Sequence, residues 1–164
     1  RRSGSGCANT PPGRRCRANI IYWENREYLG IGPSAVSYLG GVRRKNVADI
    51  RKYVEAAQSG TDSIVVEEES LPPEDRARET AIQMLRLTDG ISDATFEEIT
   101  GFKAKELFTR QISDISSSKL IEINELGFRL TRRGLLLSNL VMTELLTDYS
   151  GADPISSKST VARP

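Results

Sequence analysis

The chain of 164 residues contains no histidine, two cysteines, two methionines and one tryptophan. Without histidine it has no imidazole to offer a metal. Cys7 and Cys16, nine positions apart, fit none of the common zinc or iron–sulfur spacings. The two thiols read as reduced, which suits a cytoplasmic setting, since nothing in the sequence points to the oxidising compartment a disulfide needs. Hydrophobic runs are short as well. Leu135 to Leu137 and Leu140 to Met142 are interrupted by Ser138 and Asn139, far below the roughly 18 to 20 apolar residues of a membrane span. The opening Arg-Arg-Ser-Gly-Ser-Gly has no apolar centre of a signal peptide and no initiator methionine, so the chain reads as the C-terminal part of a longer protein.

The length suffices for one domain, or for the end of one domain and a small second one. The net charge of +1 conceals a polarity: residues 1 to 52 carry eleven Lys or Arg against three Asp or Glu, and residues 53 to 164 carry twelve against nineteen. An anionic ligand or partner is therefore expected in the first third, where carboxylate-bearing porphyrins, phosphates and nucleic acid would all satisfy the balance. A solvated basic surface would satisfy it too.

Residues 1 to 15 read as a loop. Asn19-Ile-Ile-Tyr-Trp23 and Tyr28-Leu-Gly-Ile31 are β-branched and aromatic and read as two buried strands or strand ends. Two short strands make no stable sheet alone, so they call for partners elsewhere. A helix is predicted from an Asn46 N-cap through Val47, Ile50, Tyr53 and Val54 to a stop at Gly60. Glu67-Glu-Glu-Ser70 then reads as an acidic connector, with a domain boundary near residue 65. Pro72 and Pro73 open a second helix, to Leu87, whose first turn carries acidic residues and whose Ala77, Ala81, Met84 and Leu85 face a core. Further helices are expected over 93–99 and 104–117, strands over 120–124 and 128–130 around Leu126-Gly127, and a final helix over 131–147. Three helices followed by a hairpin describe a winged-helix-like unit. Residues 150–164 lack any pattern and read as disordered.

In order along the chain stand Pro12-Gly13, Cys16-Arg17, Asn19, Tyr22-Trp23, Tyr28-Leu-Gly-Ile-Gly-Pro-Ser-Ala35, Arg44 with Asn46, Tyr53, Glu79, Leu85-Arg86, Gly90, Phe96, Leu120, Arg129-Leu-Thr131 and Gly134. Taken together they resemble the HemW branch of the oxygen-independent coproporphyrinogen oxidase family, within the radical S-adenosylmethionine (SAM) superfamily. The resemblance implies the α/β end of a partial TIM-like radical SAM barrel over residues 1–65, followed by a mainly helical, winged-helix-like C-terminal domain over 66–149. It implies SAM and a 4Fe-4S cluster as cofactors of the whole protein, haem or a porphyrin as ligand, and as partners the missing N-terminal barrel region and a haem-receiving apoprotein.

The family's cluster is held by a Cys-x-x-x-Cys-x-x-Cys motif that this sequence does not contain, so the chain by itself is expected to be catalytically silent. The resemblance assigns Gly30, Gly32, Ala35 and Val36 to the SAM pocket, with Ala35 and Val36 as apolar wall. Physically, glycines there allow close backbone approach and positive φ; a glycine-rich strand exit is the plain alternative, and the dinucleotide fingerprint is not met. Two family histidines are replaced, one by Ala18 in Cys16-Arg-Ala-Asn-Ile-Ile-Tyr-Trp23 and one by Val36. The first is the residue associated with haem in HemW-type proteins, and alanine has no lone pair for iron. Cys16, Tyr22, Tyr28, Met84 and Met142 could in principle ligate iron, though each reads first as packing, and Tyr22 and Trp23 read as core or pocket-wall aromatics. Arg15, Arg17, Arg43 and Arg44 are candidates for steering propionates.

A different class of function is a winged-helix nucleic-acid-binding or protein-interaction module without enzymatic activity. Arg129, Arg132 and Arg133 after the hairpin tip, and Lys103, Lys105 and Arg110 on the third helix, would contact phosphates. Glu106 and Asp114 dilute that face, which disfavours nucleic acid.

Overall fold

The computed structural model describes residues 16–60 and 64–147. Within these, contacts divide the chain into 27–60 with 64–72, and 16–26 with 73–147. The expected single boundary near residue 65 is thus replaced by two crossings, because the segment read as the first strand belongs with the later residues.

In the smaller unit, β1 (Val36–Leu39), β2 (Val42–Asn46) and β3 (Val65–Ser70) form an antiparallel sheet with β2 in the centre. The stretch read as an acidic connector is β3. Its glutamates lie opposite basic residues of β2, pairing Arg43 with Glu69, Arg44 with Glu68 and Lys45 with Glu67. Opposite charges directly across a ladder favour pairing, and so an unpromising Glu run becomes a strand. The helix α2 (Ile50–Ser59) begins later than expected. Asp49, not Asn46, is its N-cap, with its carboxylate accepting from the Lys52 amide at 3.0 Å, and Gly60 ends it as predicted. Only Ala56 of this helix is buried, while Ile50 and Val54 face solvent.

The larger unit holds α1 (Arg17–Trp23), α3 (Pro73–Met84), β4 (Ile91–Ser92), α4 (Asp93–Thr100), α5 (Ala104–Leu107), α6 (Thr109–Ser116), β5 (Ile121–Asn124), β6 (Gly127–Leu130), α7 (Arg132–Leu136) and α8 (Ser138–Leu145). Residues 19–23 are helical rather than a strand. The helix α1 packs on α3, and just beyond it Asn25, in a left-handed conformation, donates from Nδ2 to Thr80 Oγ1 at 3.0 Å. Tertiary contact here overrides a local β preference. Tyr22 is exposed and Trp23 half-buried beneath the Arg86 guanidinium, 5.3 Å from the ring centroid, so neither is a core aromatic of a sheet.

The core of this unit gathers Ala77, Ala81, Met84 and Leu85 of the α3 region with Phe96, Phe108, Ile115, Phe128, Val141 and Leu145. Two helices expected to be continuous are broken. The 104–117 helix breaks at Phe108 (φ −110°, ψ 23°), whose ring is fully buried 6.4 Å from that of Phe96, with the Arg78 guanidinium 5.5 Å away. The 131–147 helix breaks at Leu137, after which Val141 and Leu145 enter the core. Both expected strands of the hairpin are present, and a third, β4, pairs with β6 in the order β4-β6-β5. Gly134 lies where α7 meets the backbone before β5, and a Cβ there would collide with the Leu120 carbonyl. Among the described residues no helix is long and apolar enough to cross a membrane.

Candidate functional site

The glycine-rich segment between Tyr28 and β1 is a tightly held turn. Tyr28 exchanges backbone hydrogen bonds with Tyr38 at 2.9 and 2.8 Å, anchoring its start beside β1. Two residues later the Gly30 amide donates to Ser37 Oγ at 3.0 Å, and the Gly32 amide donates to the Tyr53 hydroxyl of α2 at 3.1 Å. Asn46, at the end of β2 and buried, donates from Nδ2 to the Gly32 carbonyl at 2.9 Å and to the Gly30 carbonyl at 3.4 Å. The Asn46 amide reaches the Ala35 carbonyl at 2.9 Å, and the Ser34 amide reaches the Val47 carbonyl at 3.1 Å. A Cβ on Gly30 would strike the Val36 backbone, whereas one on Gly32, at φ 111°, would meet nothing within 4 Å. Glycine at 30 is therefore required by packing, and at 32 by backbone conformation facing open space.

The four assigned residues Gly30, Gly32, Ala35 and Val36 are half-buried and close together on this turn. Between them Leu29 and Ile31 are exposed, Ile31 at 82%, which corrects the expectation of a buried strand over 28–31. Neither Leu29 nor Ile31 makes a backbone hydrogen bond within the described residues. Alternation explains this: Tyr28, Gly30 and Gly32 turn their polar groups inward, so those of Leu29 and Ile31 point to the opposite edge. Sequence reasoning missed the two residues that shape the turn. Asn46 reads as an N-cap and Tyr53 as a helix contact, and only their presence in the family pattern marked them out.

Two of the four basic candidates for steering propionates, Arg43 and Arg44, are engaged in ion pairs. Arg15 lies outside the described residues. Arg43 pairs with Glu69 at 3.4 Å and stacks 5.3 Å from the Tyr38 ring centroid, Arg44 pairs with Glu68 at 3.1 Å, and Lys45 with Glu67 at 3.1 Å. These contacts are partly exposed and salt-sensitive, and they pair all three cations of β2. Arg17 begins α1. At the other end of that segment the hydrogen bond that Arg26 Nε donates to the Glu24 carboxylate raises the Arg26 pKa, against a smaller lowering by burial, with Glu98 adding to the rise.

No iron ligand set emerges among the described residues. Ala18 and Cys16 are exposed, Tyr22 is exposed on α1, Tyr28 stands 6.3 Å from the Tyr38 ring, and Met84 is sealed in the core. Met142 is half-buried on α8. Among the described residues no group of three or more His, Cys, Asp or Glu could hold a metal. A 4Fe-4S cluster needs several convergent thiolates, and the described residues, with Cys16 as their one cysteine, do not fit it.

The cations near the hairpin are engaged in the same way. Lys105 pairs with Asp93 at 2.8 Å and donates to the Asn124 and Glu125 carbonyls, clamping the tip that exposes Leu126. Arg129 pairs with Glu122 at 2.8 Å, Arg110 with Asp114 at 4.0 Å, and Lys103 with Glu106 at 3.2 Å; the last hydrogen bond raises the pKa of the exposed Lys103. Arg132 and Arg133 are exposed and make no ion pair within the described residues.

Residues 71–137 match the HemN C-terminal domain family. The chain is 31% identical over 137 residues to the haem chaperone HemW of Lactococcus lactis, covering 84% of this chain and 35% of that protein. To the haem chaperone HemW of Bacillus subtilis it is 32% identical over 135 residues, covering 82% and 35%. It thus spans about a third of the length of these curated relatives. Its fold is similar to that of the Escherichia coli coproporphyrinogen III oxidase HemN, a radical SAM enzyme, with a TM-score of 0.55 at 20% identity over 75% of this chain and 29% of that one.

Proposed function

We propose that this chain, which is HemW/HemN-like and carries a HemN C-terminal domain over residues 71–137, works as the C-terminal portion of a radical SAM protein that handles haem in the cytoplasm. The observation that carries the reading is the glycine turn. It is rigidly held on its inner side, open at Gly32, and bordered by an edge at Leu29 and Ile31 whose backbone groups have no partner within the described residues. Such an edge suits the end of a larger sheet, here a radical SAM barrel supplied by the rest of the protein. When bound, SAM supplies radical chemistry. Gly30, Gly32, Ala35 and Val36 contribute backbone and small apolar surface to one side of its pocket, and cluster ligation lies with residues elsewhere.

Between the two activities named by the relatives, haem transfer is favoured over coproporphyrinogen oxidation by the Tyr22-Trp23 signature and by the curated relatives, which carry the name of haem chaperone. Ala18 sits exposed on α1 and offers iron no ligand, so an axial ligand comes from another part of the protein. The order helix, short strand, helices, hairpin in residues 73–130 supports reading the C-terminal domain as winged-helix-like. Its paired cations support an interaction module for the haem-receiving apoprotein rather than for nucleic acid.

Haem titration of the full-length protein, followed in the Soret region, tests this reading against an Ala18→His variant. Stoichiometric binding by the unaltered protein is expected, with a shifted band in the variant as imidazole becomes available. Absence of binding by both would overturn haem handling.

A further inference from the structure

We propose that Asn46 and Tyr53 are positioning residues that shape the Gly30–Ala35 turn into a ligand-facing wall. The proposal rests on the reading of that turn as part of a SAM pocket. The Asn46 side chain is buried and its single amide nitrogen serves two carbonyls, those of Gly30 and Gly32, drawing both to the inner side of the turn. Tyr53 accepts the Gly32 amide proton from a different element, α2. With both carbonyls and both glycine amides bound within the unit, the polar backbone at Gly30 and Gly32 is turned away from the open side. A Cβ at Gly32 would meet nothing within 4 Å, so its α-carbon faces open space. With those groups engaged, Gly32 offers its α-carbon rather than its own polar backbone to a ligand, as suits contact with the face of a purine ring or the carbon skeleton of a nucleoside. A turn free to rotate would present its carbonyls instead and would lose ordering entropy on binding.

The test uses the full-length, cluster-loaded protein with Tyr53→Phe, Asn46→Asp and Asn46→Ala. Tyr53→Phe keeps the ring and removes only the acceptor; Asn46→Asp keeps the shape and removes the donor. Two readouts are taken: SAM affinity by equilibrium dialysis, and hydrogen–deuterium exchange over residues 30–35 without ligand. Faster exchange of the Gly32 amide with SAM binding weakened about tenfold, as expected for loss of a positioning hydrogen bond, and an unchanged melting temperature in Tyr53→Phe, would bear out the proposal. Faster exchange with unaltered affinity would overturn it, showing the hydrogen bonds to be structural only, as would unaltered exchange. Should Asn46→Ala fail to fold, Tyr53→Phe and Asn46→Asp decide. Failure of the unaltered, cluster-loaded protein to bind SAM is a separate outcome: it overturns the functional reading itself and the proposal with it.

Discussion

The two units of this chain differ in how they are stabilised. Residues 73–147 enclose a core in which Phe96, Phe108, Leu85 and Leu145 are fully buried. Residues 27–72 bury little beyond Tyr38 and Ala56 among their apolar residues, expose Leu29, Ile31, Ile50 and Val54, and carry a row of ion pairs along the β2–β3 ladder. Hydrophobic burial is the dominant favourable contribution to folding, and surface ion pairs contribute little. The contrast teaches that the two units rest on different forces, a closed apolar core in one and paired charges beside a backbone ladder in the other.

The largest effect should come from separating them. Residues 16–26 joined by a short glycine–serine linker to 73–147 are expected to melt cooperatively by circular dichroism, and residues 27–72 alone to show no cooperative transition; two matching transitions would erase the contrast. Within the stable unit, Phe108→Ala removes a fully buried ring and should cost about 3–5 kcal/mol in urea denaturation. Gly134→Ala, which drives a methyl group into the Leu120 carbonyl, should cost about 1–3 kcal/mol, read as a lower urea midpoint. Arg44→Ala breaks a partly exposed pair with Glu68 and should cost less than about 1 kcal/mol, a loss that shrinks further in high salt; the full-length protein is the material for this measurement. Smallest of all, Leu136→Ser changes an exposed side chain, and its melting temperature should match the unaltered protein within about 0.5 kcal/mol of stability.

Legibility in the sequence followed the same division. The helix opened by Pro73, its Ala77, Ala81, Met84 and Leu85 face, and the 121–130 hairpin were readable because each carries its own periodicity and stop signals. Phe108 was not readable as a break, since its burial beside Phe96 and Arg78 is set by residues distant in sequence. Residues 19–23 have the composition of a strand and form α1 because α3 offers a surface to pack on. The run Glu67–Glu69 looked like a connector because its partner, Arg43–Lys45, is more than twenty positions away. At the candidate site the glycines announced a turn, but what holds it was hidden: Asn46 and Tyr53 act across distances of 14 to 21 positions, beyond any local pattern. The paired state of Arg43 and Arg44 was equally invisible, since Glu69 and Glu68 lie more than twenty positions away.

The most direct measurement is amide hydrogen exchange at Leu29 and Ile31, compared between this chain alone and the full-length protein. The account predicts rapid exchange in the isolated chain and strong protection in the full-length protein, where a neighbouring barrel strand takes up the free edge. Equally rapid exchange in both would contradict it, because residues 27–72 would then border no larger sheet.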